Sequence, residues 1–261
     1  MKSKAFPIFI ILSSIMVAIL FVPILNIFVY VGIDGIINAI KDKNAIASIL
    51  VSFEAAFLST LISMLFGIPL AYILARKNFI GKKIIAAIVD LPVIVPHTVA
   101  GIALLLVLGR NGLIGMPLSQ IGFHLTDSLL GISLAMLFVS APFFINYARE
   151  GFEAVDPKME NVAMSLGASR WKAITTITLP ISMRNIFIGA IMAWARSISE
   201  FGAVIIIAYF PMVAPVYIYS KYIERGVAAA AAPAALLLLI SILVFIVARV
   251  VANKWRRYDK D

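Results

Sequence analysis

The sequence predicts an all-α polytopic membrane protein of six transmembrane helices, with both termini cytoplasmic and a cytoplasmic helix pair between the fourth and fifth spans. Three observations predict it. The chain of 261 residues is 62% hydrophobic with a mean hydropathy of +1.05, more apolar surface than a soluble domain of that length can bury. Its charged residues, 13% of the total, gather in short blocks between apolar runs of about the 20 residues that cross a bilayer as a helix. Those runs are continuous rather than alternating, which excludes a transmembrane barrel; in lipid, such a run satisfies its own backbone only as a helix.

The first run, about 7–31, follows Lys2 and Lys4 as a signal sequence would, but its length exceeds the 7 to 15 residue core of such a segment and marks it as a retained span. The second, about 50–75, ends on Arg76 and Lys77. The third, about 85–108, carries Pro92 and Pro96. The fourth, about 129–148, opens into the longest charged segment of the chain, Arg149 to Asn185. The fifth, about 186–208, holds Arg196 and Glu200, and the sixth is about 232–252.

Orientation follows from Lys and Arg placement, since cytoplasmic loops carry the excess. One side holds sixteen of the 22, at positions 2, 4, 76, 77, 82, 83, 149, 158, 170, 172, 184, 249, 254, 256, 257 and 260. The other holds five: Lys41, Lys43, Arg110, Lys221 and Arg225. Both termini are therefore expected in the cytoplasm of a cell-membrane protein. The net charge of +9 reflects topology and anionic lipid, not nucleic acid. With no Cys, and with His97 and His124 on opposite expected faces, a metal centre has no ligand set.

Long ordered connections tend to be functional, and segment 149–185 has helix punctuation. Asp156-Pro157 reads as an N-cap followed by Pro in the first turn, with Glu160 near the electropositive helix start. Gly167 is placed to stop that helix in the left-handed conformation. Ser169 then caps a second short helix through Trp171, Ile174 and Ile177, which Pro180 is expected to separate from the fifth span. Physically, such a pair is either a rigid element that transmits a partner's push or an amphipathic helix at the lipid surface anchored by Trp171.

The stretch Glu160-Asn161-Val162-Ala163-Met164-Ser165-Leu166-Gly167, followed after nine residues by Ile177-Thr178-Leu179-Pro180, resembles the signature loop of ABC importer permeases. Asn161 and Val162 stand where that family has Glu and Ala, so its acidic contact is lost or supplied by Glu160. The strings Gly67-Ile68-Pro69-Leu70-Ala71-Tyr72-Ile73-Leu74-Ala75-Arg76, Asp90-Leu91-Pro92-Val93-Ile94-Val95-Pro96-His97-Thr98-Val99-Ala100-Gly101 and Trp194-Ala195-Arg196-Ser197-Ile198-Ser199-Glu200-Phe201-Gly202-Ala203 extend the likeness to the molybdate, tungstate and sulfate branch. They are most similar to archaeal molybdate/tungstate permeases. The resemblance implies a homodimeric permease, two copies of an ATP-binding subunit and an external oxyanion-binding protein. It implies that residues 153–180 dock the ATPase, through Glu153, Asp156, Glu160, Asn161, Ala163, Leu166, Gly167, Ala168, Trp171, Ile177, Leu179 and Pro180. No Gly-x-x-x-x-Gly-Lys-Ser/Thr string occurs, since Arg76 occupies the first Gly position ahead of Gly81-Lys82-Lys83. No cofactor is expected on this chain; ATP and Mg belong to the partner.

In the expected fifth span, Arg196 and Glu200 lie four apart on one face, where each unpaired charge would cost on the order of 2.5 to 3.5 kcal/mol. They form a structural latch, or Arg196 guides an oxyanion along a pore. A pore for a dianion favours weakly binding hydroxyls, making Ser197, Ser199 and Thr98 candidates. Pro92 and Pro96 push Leu91 and Val95 toward extended geometry, so Asp90 to Thr98, including His97, either lines the path or is a kinked helix packed in the bundle. Only this span carries a double-Pro break and no inverted repeat is visible, against a secondary transporter driven by protons or sodium.

Overall fold

A computed structural model describes residues 6–254, with side chains from 7 to 252; the side chains of Lys2, Lys4, Lys254, Arg256, Arg257 and Lys260, which contribute to the charge asymmetry, lie outside these residues. Among the described residues every regular element is a helix. It runs α1 (Phe6–Lys41), α2 (Lys43–Arg76), α3 (Lys82–Ile94), α4 (His97–Leu108), α5 (Gly115–Gln120), α6 (Leu129–Glu153), α7 (Pro157–Ser165), α8 (Arg170–Ala173), a π-helical turn (Ile174–Thr178), α9 (Leu179–Ile198), α10 (Gly202–Ile207), α11 (Ala214–Arg225) and α12 (Val227–Lys254). Five of these helices are long and apolar enough to cross a membrane, and the bent pair α3–α4 makes a sixth span if counted as one.

The centre of the bundle is α2 packed on α6 and α9. Lipid tails are as apolar as Leu, so helices in a membrane gain little from hydrophobicity and rely on close packing and buried hydrogen bonds. The buried stripe of α2 is accordingly mostly small, Ala45, Ser48, Ser52, Ala55, Ala56, Ser59, Thr60, Ser63, Gly67 and Ala71, with Ile49 and Leu74 toward its ends. A Cβ at Gly67 would stand 2.7 Å from a Phe144 ring carbon, so only glycine admits that ring. Phe144, Phe152 and Ile186 fill the space between α2, α6 and α9.

The two ends of α2 fix the two ends of the molecule. At its start Asp42 caps the helix, accepting from Asn44 N–H at 3.0 Å, and accepts from the Tyr217 hydroxyl of α11 at 2.6 Å. At its finish Arg76 reaches α7. The expected run 7–31 lies in α1, which kinks at Gly32 (φ 63, ψ 178) and continues to Lys41.

Three expectations need correction. The run 85–108 is not one helix: α3 and α4 meet at 115°. Pro96 has no N–H for the ladder and holds Val95 extended (φ −70, ψ 128), whereas Leu91 stays helical and its carbonyl accepts from Val95 N–H at 3.3 Å. The run 186–208 is also broken, at Ser199–Phe201, so the third span is not alone in this. Nor does Pro180 separate the short helix from the fifth span. A single 29-residue helical rod runs from Arg170 to Ile198. The π turn, in which Leu179 N–H bonds to Ile174 O, opens the ladder where Pro180 would clash with the preceding turn. Thr175 and Thr176 hydroxyls donate to Trp171 and Lys172 carbonyls beside it.

Candidate functional site

Two places gather the residues singled out by the sequence: the corner formed by α7 and α8, and the crossing of the two broken spans. The corner is built from local signals. Asp156 Oδ1 accepts from Lys158 N–H at 2.9 Å with Pro157 at the helix start, and Ser169 Oγ accepts from Lys172 N–H at 3.2 Å. Between them Gly167 takes φ +91. Gly167 N–H donates to Met164 O and Ala168 N–H to Ala163 O, both at 3.0 Å, the two bonds of a Schellman motif. Ala163 and Ala168 are half-buried at this closure. The outer face is apolar and uncovered: Met159, Val162, Leu166 and Trp171 are exposed, the last two 84% and 74%. Asn161 lies on the exposed side, and Glu153 pairs with Arg149 at 3.0 Å. Ile177 and Leu179 are half-buried in the rod, with Pro180 exposed.

Glu160 does not face outward with them. It is buried, and its carboxylate accepts from Arg76 Nε at 2.9 Å, Tyr72 Oη at 3.0 Å and Thr178 Oγ1 at 2.7 Å. Three donors from α2 and the rod thus clamp α7. Burial by itself would raise this carboxyl; the hydrogen bonds from Thr178, Tyr72 and Arg76 and the Arg76 charge outweigh it and hold the group below the usual glutamate range. Glu160 is therefore turned into the chain, with all three of these donors internal. Sequence reading missed Tyr72, Arg76 and Thr178; Tyr72 and Arg76 are four apart on α2 and share a face, which was the available signal.

At the second place the breaks pack on each other. A Cβ at Gly202 would lie 2.8 Å from His97 Cβ, so the start of α10 sits directly on the start of α4. Arg196 and Glu200, expected mid-span, instead flank the end of α9. Their ion pair is 2.9 Å, and Glu200 also accepts from Ala203 N–H at 2.9 Å, closing the first turn of α10. This second job explains why the helix stops: Glu200 leaves the α9 ladder to satisfy α10. Ser199 Oγ returns a bond to Arg196 O at 2.9 Å, and Arg196 Nη1 donates to Ser199 Oγ at 3.2 Å.

His97 joins this pair, a partnership the sequence did not reveal. Its Nε2 is 2.9 Å from Arg196 Nη2 and its Nδ1 is 3.3 Å from Glu200 Oε2. Both ring nitrogens lie within reach of Arg196 Nη2, Nδ1 at 3.3 Å, and since a guanidinium only donates, the nitrogen that accepts from it carries no proton. The cluster is sealed on one side and open on the other: the side chains of Glu200, Arg196 and His97 are 1%, 22% and 44% exposed.

The remaining pathway candidates divide. Pro96 and Thr98 are exposed beside His97 and Pro92 is half-buried, while Asp90 accepts from Asn146 Nδ2 of α6 at 2.7 Å, tying α3 to the bundle. Ser197 faces the core, not the opening beside His97. It is fully buried within this chain, its Oγ 3.2 Å from Ser59 Oγ, which in turn lies 3.3 Å from Ser140 Oγ. One residue along a helix turns the side chain by about 100°, enough to put Arg196 at the opening and Ser197 in the core.

A family model described as the binding-protein-dependent transport system inner membrane component matches residues 67–257. The molybdate/tungstate transport system permease protein of Thermococcus kodakarensis is 41% identical over 245 residues, covering 93% of this chain and 94% of that one. Its counterpart from Pyrococcus abyssi is 42% identical with the same coverage. A crystal structure of a bacterial ABC transporter that imports the acidic polysaccharide alginate shares the fold, with a TM-score of 0.75 over 96% of each chain at 19% identity.

Proposed function

Because the chain belongs to the family of binding-protein-dependent transport system inner membrane components, we propose that it is the membrane-spanning subunit of an ATP-driven importer, taking molybdate or tungstate from an external binding protein. The observation that carries this reading is the corner at Gly167: an uncovered apolar face held on a helical rod that continues through the π turn to the Arg196 cluster. The rod Arg170–Ile198 is about 43 Å long at 1.5 Å per residue, against about 30 Å of hydrocarbon, so its first turns project from the bilayer.

In this reading the α7–α8 corner and both termini face the cytoplasm, and Leu166 and Trp171 enter a cleft on an ATPase subunit. ATP and Mg bind on that partner, one ATPase for each of two copies of the chain. Closing of the ATPases displaces the corner, and the rod passes the displacement to the crossing of the broken spans. There the exposed side, His97 and Thr98 with Arg196 and Ser199, forms part of the oxyanion path between two copies. Arg196 suits a tetrahedral oxyanion because its fork of N–H groups matches paired oxygens, and its pairing with Glu200 keeps the attraction weak enough for release.

The test is co-purification in detergent with the ATPase subunit. Leu166→Glu with Trp171→Glu, both on exposed sites, should abolish the complex while the chain stays folded; a complex that survives unchanged sinks the docking assignment. Uptake of labelled tungstate by the reconstituted assembly, competed with molybdate and sulfate, tests the substrate class. Sulfate competing as well as molybdate would overturn it.

A further inference from the structure

At the end of the bundle that carries the α7–α8 corner, a cavity of about 330 Å3 lies between α6, α9 and α12. Ser182 Oγ of α9 donates to Gly151 O of α6 at 3.0 Å beside it, which fixes the level. The cavity has a cationic part, Arg184 and Arg249 with Tyr147, and an apolar part that includes Ile188 and Phe245. Among the described residues no carboxylate lines it. Neither arginine enters an ion pair with a described residue, and Arg184 Nε is buried without a hydrogen-bond partner.

Arg184 is half-buried with its Nε unpartnered and Arg249 is exposed beside it; a guanidinium held partly out of water without an acceptor favours an anion that can join the two. We propose that this cavity holds the headgroup of an anionic phospholipid. The phosphate would take the arginine forks, for which paired N–H groups are the matched donor set. The glycerol end of the acyl chains would lie on Ile188 and Phe245. A free oxyanion has no apolar portion to occupy that half of the lining. The surface of α12 beside Phe245 and Arg249 suits the same occupant: Ile246 and Val247 are exposed and apolar, a face that acyl chains can follow. Basic pockets between membrane helices recognise anionic headgroups by this combination.

The experiment is native mass spectrometry of the full chain in detergent, titrated with phosphatidylglycerol and with phosphatidylcholine. The intact chain should prefer phosphatidylglycerol, and Arg184→Gln with Arg249→Gln should lower that preference roughly thirtyfold, the equivalent of about 1 kcal/mol per arginine. Arg149→Gln, which removes a charge already paired with Glu153, should leave it unchanged. Should the double Gln variant not fold, Arg184→Lys with Arg249→Lys keeps both charges without the fork and should retain a reduced preference. Equal binding of the two lipids, a Gln variant or a Lys variant indistinguishable from the parent, or displacement of the lipid by millimolar inorganic phosphate would overturn the proposal, the last in favour of a free oxyanion.

Discussion

Two buried glutamates, each 2.9 Å from an arginine, do different things in this molecule. Glu160 is gripped by groups from distant parts of the chain, Tyr72, Arg76 and Thr178, and its arginine is as buried as it is. Glu200 is gripped mainly from its own neighbourhood, by Arg196 one turn back and Ala203 three residues on, and only His97 comes from afar. The first arrangement is closed off from water, with Arg76 Nη2 buried and unpartnered, and fixes the corner to the bundle. The second leaves a guanidinium and an imidazole partly open, which under the proposed function lets a passing anion exchange for their bonds. Sealed or open, rather than charged or neutral, separates the anchor from the candidate path.

Breaking the anchor should have the largest effect. Glu160→Ala leaves Arg76 buried and unpaired, at a cost of about 3 to 5 kcal/mol, and should lower thermal stability in detergent together with ATPase co-purification. Unchanged stability would show that the junction is wetter than its geometry. A milder version uses pH. Because the folded group titrates below the ordinary glutamate value, its contribution is fully present above about 4.3 and is lost as pH falls through the lower folded value. Proteolytic nicking of residues 157–178 should therefore stay low at neutral pH and rise only in strong acid.

At the open junction Glu200→Gln should cost less stability, about 1 to 3 kcal/mol, because Arg196 keeps access to solvent and Ser199. Its effect on oxyanion uptake should exceed its effect on unfolding temperature; the reverse result would make the cluster a latch and nothing more. Gly167→Ala sharpens the anchor side from outside. No atom lies within 4 Å of the added methyl, so the change of about 1 to 2 kcal/mol is backbone strain at φ +91 alone, read as weaker ATPase co-purification. The smallest effect is expected at Ser197→Ala, about 1 kcal/mol of stability with uptake unaltered, since Ser59 keeps its contact with Ser140.

What the sequence made legible follows the range of the interactions. Asp156, Gly167 and Ser169 act on backbone groups within two to five residues, and each does in the structure what its type and spacing suggest. The bend at Val95 is likewise the steric consequence of the next residue. The inward turn of Glu160 was not legible, because its partners are 84 and 88 residues away and a carboxylate in a first helical turn already has a local explanation. The break at Glu200 depends on α10 needing a cap, and the burial of Ser197 on which face of α9 meets α2; neither is a property of the local string. The same holds for Pro180, whose breaking of a helix was avoided by a turn type that no residue pattern announced.

That π turn sets an angular phase between the two ends of one rod. Each residue of an α-helix advances the side chains by about 100°, so the extra residue accommodated between Ile174 and Thr178 rotates everything beyond it by that angle relative to an uninterrupted helix. Trp171 lies before the insertion and Arg196 after it. A chain lacking one of Thr175 or Thr176 would keep its corner and its arginine, yet the two would be out of step, with Arg196 carried round the helix and away from His97.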